Sequence, residues 1–400
     1  MPRFSVFLAT LFLVGCAALP APVPAPPACP PCPGVELPKP AVKALQPAEW
    51  SELSGWDGDD HARAFELFRT SCATLIKRPL WQASCEAAQK VGASGTAKGS
   101  AEAARAWFEA QFRPWALTNP DGDRAGLVTG YYEPVVRGNR SKKPPYLVPV
   151  FGPPADLIVV DLESLYPELK GLRLRGRIEG RKLVPYPDRS KWSALEAQRA
   201  DDALLWLDDP LDFFFLQIQG SGQVVLDDGS RVRIGYADQN GHPYRSIGKW
   251  LIDQGELQVH EASMQGIKAW AAAHPQRLPE LLNANPSMVF FRELPVPKNG
   301  DGAMGSGPPG ALGVPLTPER SIAVDPRHVP LGAPVWLATT YPNSERELNR
   351  LMLAQDTGGA IRGPARADFY WGSGAEAGSL AGRMKQRGIL WVLLPRDHQP

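Results

Sequence analysis

A chain of 400 residues, 44% hydrophobic and 21% charged, has the composition of a globular protein with a proper core, and its length suits two domains. Lys and Arg together number 43 against 42 Asp and Glu, so no global field draws the protein toward nucleic acid or an anionic surface. The one strongly apolar run, Phe4 to Val14, is far shorter than the roughly 20 residues of a spanning helix, which leaves it as a targeting segment.

That segment carries Arg3 and the free amine, then the apolar run, then Leu13-Val14-Gly15-Cys16. It resembles a bacterial lipoprotein signal with its lipobox. On that basis residues 1–16 are the signal, and Cys16 becomes the mature N-terminus, whose acyl chains anchor the protein in lipid. Ala17 and Ala18 follow with no Asp after the cysteine, resembling proteins sorted to the periplasmic face of the outer membrane. Residues 17–47 are so rich in proline that neither helix nor sheet is expected, and they read as a semi-rigid tether. Extended as polyproline II, its stretch from Pro20 to Pro47 would reach on the order of 80 to 90 Å. Cys29 and Cys32 lie inside it as C-P-P-C, a redox or zinc spacing without a second pair or a folded scaffold, so a linker role is favoured. Cys72 and Cys85 suit either a disulfide in an oxidising compartment or two separate core thiols.

The globular part opens with helical patterns. Phe65, Phe68, Cys72 and Leu75 recur at three- and four-residue spacing, as do Ala104, Trp107, Phe108 and Phe112. After Gly126 the texture changes to short β-type runs broken by Gly, Pro and Asp: LVTGYY, YLVPVF, DLIVVDL, LRLRGRI, DFFFLQIQ, QVVLDD and RVRIGYA. Ser246 to His274 carries two helical patterns, Asn299 to Pro309 reads as a flexible loop, and a second β-rich portion follows with SIAVDP, APVWLAT, RLMLAQDTGG, ADFYWG and GILWVLL.

Several chemistries find no support. There is no phosphate-cradling G-x-x-x-x-G-K-[ST], no G-x-S-x-G, and His260-Glu261-Ala262-Ser263-Met264 lacks the second histidine of a zincin. The six histidines have no ligand spacing, so neither a metal nor a cofactor is expected. What remains is aspartate at the ends of apolar runs. Asp356-Thr357-Gly358-Gly359 ends one of them, its glycines letting backbone donors approach a ligand, although a turn aspartate capping its neighbours is the preferred account on the residues alone. Asp325 has the same bland account as an Asp-Pro turn. Asp368 sits among Phe369, Tyr370 and Trp371, where desolvation would raise its proton affinity toward neutral pH and the rings would offer a platform for sugar faces.

Asp325 in IAVDPRHVPLG, Asp356 in AQDTGGAIRG and Asp368 in ARADFYWGSG together resemble the three-aspartate domain of the membrane-bound lytic murein transglycosylase A family. TGYYEP, VPYPDRSKW, FFLQIQGSG, IGYADQNGHPYRSIGKWL, SMQGIKAW and NPSMVFF resemble it upstream, in the same order. The resemblance implies a mainly β fold with some helix: a double-psi β-barrel with a second β-barrel-like domain inserted and a glycan groove between them. Residues 48–134 and 295–400 would form the barrel domain with its N-terminal helices, and residues 135–294 the insert. It also implies a peptidoglycan exotransglycosylase that cuts between N-acetylmuramic acid and N-acetylglucosamine and leaves a 1,6-anhydro ring. Asp368 would be acid and then base, a lone carboxyl sufficing because the nucleophile is the substrate's own C6 hydroxyl, whereas ordinary glycosidases need two. Asp356 and Asp325 would support it by hydrogen bonds and like charge.

For the groove, Tyr131, Tyr132 and Glu133 rest on the resemblance, with Thr357, Gly358, Gly359 and Trp371 beside the acid. Gln217 and Gln219 alternate on an expected strand, so both amides would face sugar, next to Gly220 and Ser221. Arg173, Arg175 and Arg177 alternate too and could meet peptide-stem carboxylates, with a solvated basic face the blander account. The implied partners are glycan strands, outer-membrane lipid through acylated Cys16, and other wall-remodelling proteins. The rivals are a non-catalytic peptidoglycan-binding lipoprotein, a muramidase giving hydrated ends, and a pepsin-like protease built on Asp356-Thr357-Gly358, for which the chain has no second D-[ST]-G.

Overall fold

The computed structural model of the protein describes residues 42–94, 100–295 and 307–400. The signal with Cys16, nearly all of the tether with Cys29 and Cys32, and most of the loop expected from Asn299 lie outside the described residues.

The first helix, His61–Leu75, starts where the Asp60 side chain accepts from the Arg63 amide, and it buries Phe65, Phe68, Cys72 and Leu75 as the spacing predicts. The third, Ala101–Gln111, is capped by Ser100 in the same way and buries Ala104, Trp107 and Phe108. Their aromatic faces meet edge-on, with Phe65 and Trp107 centroids 4.9 Å apart. Between them runs Pro79–Ser94, and a disulfide joins Cys72 to Cys85 across 5.4 Å between Cα atoms, which decides the question the spacing left open.

The larger sheet closes on itself. Strand Lys385–Pro395 pairs with Pro334–Thr340, and the order continues through Glu347–Asp356, Ser321–Val324, Ala367–Ser373 and Ala125–Glu133, which pairs back onto Lys385–Pro395. Strands Phe112–Leu117 and Leu45–Pro47 extend it from the far half of Lys385–Pro395, and the second corrects the expectation of no sheet up to residue 47, since the last tether residues add an edge strand where proline is tolerated. Closure removes the exposed edges a sheet of this length would otherwise present. Tight approach at one seam demands glycine: a Cβ on Gly126 would stand 1.4 Å from the Ala365 carbonyl oxygen. Ile322, Val324, Val335, Leu353, Phe369 and Val392 fill the interior and merge with the helical cluster in one apolar core.

The chain leaves this barrel after Glu133 and builds a six-stranded sheet in the order Val289–Leu294, Arg231–Gln239, Ser221–Leu226, Val135–Asn139, Ala203–Leu207, Val148–Phe151. A small three-stranded sheet, Ile158–Val159, Arg175–Glu179 and Lys182–Pro185, stands beside it. The two helical patterns after Ser246 form Ile247–Asp253 and Met264–Ala273. One expectation fails: DFFFLQIQ is not a strand but part of the helix Pro210–Gln219. Asp209 accepts from the amides of Leu211 and Asp212, Pro210 occupies the first turn, and Gly220 ends the helix in the left-handed region. Being apolar nearly all round, the helix shows neither period, and its end signals alone identify it. No helix among the described residues is long and apolar enough to cross a membrane.

Candidate active site

Strand pairing sets Asp368 between Ala323 on one side and Thr129 on the other. The Thr129 hydroxyl donates to Asp368 Oδ1 at 2.5 Å, and Arg366 Nη2 donates to that hydroxyl's oxygen at 2.9 Å. Thr129 and Tyr131 lie two apart on the strand Ala125–Glu133 and so share a face, while Arg366 sits immediately before the strand Ala367–Ser373 that carries Asp368. In the sequence, Thr129 is marked only by its place two residues before Tyr131 in TGYY, and Arg366 only by its place two residues before Asp368 in ARAD.

Burial pushes the Asp368 carboxyl up to about 6; the Thr129 hydrogen bond and the Arg366 charge oppose this, and the charge of Asp356 adds to it. Asp368 Oδ2 accepts from no protein donor among the described residues, and the side chain is only half-buried, so one oxygen stays open to a ligand. Asp356 is also raised by burial, against the opposing amides of Ala311 and Thr357 and the Tyr131 hydroxyl. Its oxygens are occupied, Oδ1 by the Ala311 amide at 2.9 Å and Oδ2 by the Tyr131 hydroxyl at 3.2 Å. Burial, and then the charges of Asp356 and Asp368, hold the Tyr131 phenol well above its ordinary range, so it stays a donor. No hydrogen bond links the two aspartates among the described residues, so Asp356 and Asp368 do not form a shared-proton dyad with each other.

Asp325 is fully buried but engaged elsewhere. Arg327 grips it at 2.6 Å and the Gly363 amide donates to it at 2.8 Å, which holds its carboxyl well below the usual range. The like charge on Asp368 comes from Asp356, and Asp325 instead fastens the turn that precedes Arg366.

Four expected groove residues need correction. Trp371, 5% exposed, belongs to the barrel core with its ring 4.6 Å from Phe369 and its indole N–H on Met384 Sδ, so it offers no sugar platform. Glu133, 1% exposed, is paired with Arg233 at 2.7 Å and accepts from Gln223 at 2.8 Å, clamping the barrel strand to the six-stranded sheet. Gln217 and Gln219 do not share a strand face, because they lie on a helix. Gln217 is buried, accepting from Arg189 at 2.6 Å, while Gln219 accepts from the Tyr132 amide at 3.1 Å and so pins the helix to the barrel strand.

The remaining groove candidates keep access. Tyr131, Tyr132, Gly220, Ser221, Thr357 and Gly358 are half-buried and Gly359 is exposed. Thr129→Val tests the hydroxyl at the acid: losing a bond that favours the charged form should raise the proton affinity of Asp368. The alkaline limb of the activity profile is expected to move up by about one pH unit, and an unmoved limb in a pH–rate series would refute this role.

A closed β-barrel joined to a second sheet, with one half-open carboxyl of raised proton affinity beside a hydroxyl and a guanidinium, has the make-up of an acid–base site. Residues 127–292 match the MltA specific insert domain and residues 320–394 the 3D domain. The Escherichia coli K12 membrane-bound lytic murein transglycosylase A is 32% identical over 289 residues, 70% of this chain and 68% of that protein. The crystal structure of MltA from Neisseria gonorrhoeae superposes with a TM-score of 0.76 at 38% identity, covering 91% of this chain and 97% of that one. That of E. coli MltA with bound chitohexaose does so with 0.65 at 27%, covering 89% and 96%. The chain belongs to the membrane-bound lytic murein transglycosylase A family.

Proposed function

We propose that this chain is a lytic transglycosylase of peptidoglycan in which Asp368 is acid and then base. The observation that carries the reading is the placement of Asp368: Oδ1 held by the Thr129 hydroxyl, Oδ2 open, proton affinity raised by burial, beside a second carboxyl whose oxygens are both engaged. Its proton passes to the glycosidic oxygen as the bond from the muramic C1 breaks. The carboxylate then takes the proton of the muramic C6 hydroxyl as that oxygen closes on C1. No water enters, so no second carboxylate is needed to activate one. Asp356, Tyr131 and Thr129 act as positioning residues: the first raises the proton affinity of the acid, the second fixes the first, and the third orients the acid.

The chitohexaose held by the E. coli relative supports a groove for N-acetylated β-1,4 sugars here. We take the six strands that close through Lys385–Pro395 as the double-psi barrel and residues 135–294 as the insert, the groove running past Tyr131, Gly220 and Ser221, and Thr357 to Gly359. The membrane-bound relatives support anchoring through acylated Cys16 on the periplasmic face of the outer membrane, with the Pro-rich segment as tether.

The test is the mass of soluble products from purified sacculi treated with protein lacking residues 1–16. Muropeptides one water lighter than hydrolysis products are expected. Hydrated reducing ends would replace this reading with a muramidase, and binding without release would replace it with a non-catalytic wall protein.

A further inference from the structure

Three arginines alternate on and before one strand of the small sheet, and the structure treats them differently. Arg175 is paired with Asp238 at 2.8 Å and Arg177 with Glu179 at 2.5 Å. Arg173 forms no ion pair among the described residues. It is exposed, its guanidinium carbon lies 5.9 Å from the centroid of the Tyr236 ring, and Nη1 lies 3.9 Å from where a Cβ on Gly359 would stand. Arg173 therefore reaches from the small sheet to the turn that begins at Asp356.

Its surroundings form a continuous rim. The Tyr236 amide donates to the Gly220 carbonyl at 2.7 Å, Gly235 pairs with Ser221, and Gln219 holds the Tyr132 amide. The cation is thus set beside the sugar-facing positions, steadied by an aromatic face and lacking a carboxylate of its own. Thr129 and Arg366 are the groups set at Asp368, whereas Arg173 reaches Gly359, so it addresses a neighbouring position of the glycan and not the acid.

We infer that Arg173, held over Tyr236 and against Gly359, is a specificity-determining residue that binds a carboxylate carried by the lactyl arm of muramic acid. This rests on the proposed glycan cleavage. A planar guanidinium suits bidentate carboxylate recognition, and a neutral N-acetylglucosamine oligomer has nothing for it to hold. Two sources share that chemistry: in peptide-bearing strands the lactyl carboxyl is an amide and the charge lies on the stem, whereas in stripped strands the lactyl carboxylate is free.

The experiment compares Arg173→Gln and Arg173→Lys with the wild-type chain on intact sacculi and on amidase-stripped strands, and measures chitohexaose binding. For Arg173→Gln, KM is expected to rise about tenfold, the scale of a charge-assisted hydrogen bond, with kcat within about twofold and chitohexaose affinity unchanged. Arg173→Lys should recover part of the loss, and added salt should weaken wild type more than Arg173→Gln. A rise on sacculi alone assigns a stem carboxylate, and a rise on stripped strands alone assigns the lactyl one. An unchanged KM on both substrates overturns the inference, as does an equal loss for chitohexaose. If wild type itself releases no anhydro product, the cleavage reading has failed instead.

Discussion

Asp368→Asn is expected to lower the rate of anhydromuropeptide release at least about a hundredfold while leaving chitohexaose binding intact, the scale of a lost general acid. In wild type the rate should be flat below about pH 6 and fall above it, because only the protonated carboxyl can start the reaction and burial holds its proton affinity there. The same substitution has a second consequence of opposite sign. The folded protein binds the Asp368 proton more tightly than the unfolded chain, so between about pH 4 and pH 6 the folded state carries more protons. Stability from this group is full below that window and is lost as pH rises through it. Asparagine has no charge to desolvate, so Asp368→Asn should be the more stable protein above pH 6, by on the order of 1 to 3 kcal/mol given its partial exposure. Below pH 4 the difference should vanish. Urea denaturation at pH 4 and pH 8, with product analysis on the same samples, reads both effects. A variant that still releases cyclised products at the wild-type rate, or one less stable at pH 8, would remove Asp368 from its place as the buried acid.

Glu133→Ala should be among the most destabilising single changes in the chain, at about 3 to 5 kcal/mol. The carboxylate is fully inside the protein, joined to Arg233 and Gln223, and burial raises its proton affinity more than these partners lower it. The pair as a whole therefore contributes little net stability, yet removing the carboxylate takes from a buried guanidinium the charge it is bonded to at 2.7 Å. Arg233→Met in the Glu133→Ala background should restore part of the loss, since the second change removes that buried charge. Thermal unfolding of the single and double variants measures this. A Glu133→Ala midpoint equal to wild type would mean that water or another group replaces the carboxylate.

The two predictions rest on carboxylates that look alike in the sequence and behave unlike in the fold. TGYYE places Glu133 at the end of an apolar run beside two tyrosines, the setting expected of a groove residue, and DFYWG places Asp368 beside three aromatics. Strand alternation turns Trp371 into the core and leaves Asp368 half-open, while Glu133 faces an arginine exactly one hundred residues away. Gln217 and Gln219 went astray because an apolar segment without either period carries no face, and only Asp209-Pro210 and Gly220 betray the helix.

From its residues alone the chain specifies the amphipathic N-terminal helices, the short β runs and the three aspartate segments, because these depend on neighbours within a few positions. Which aspartate keeps a proton near pH 6 does not. That is set by desolvation and by Thr129, 239 residues from Asp368 along the chain, together with Asp356 and Arg366. Burial is a property of packed surroundings, and only closure of the barrel brings those groups together.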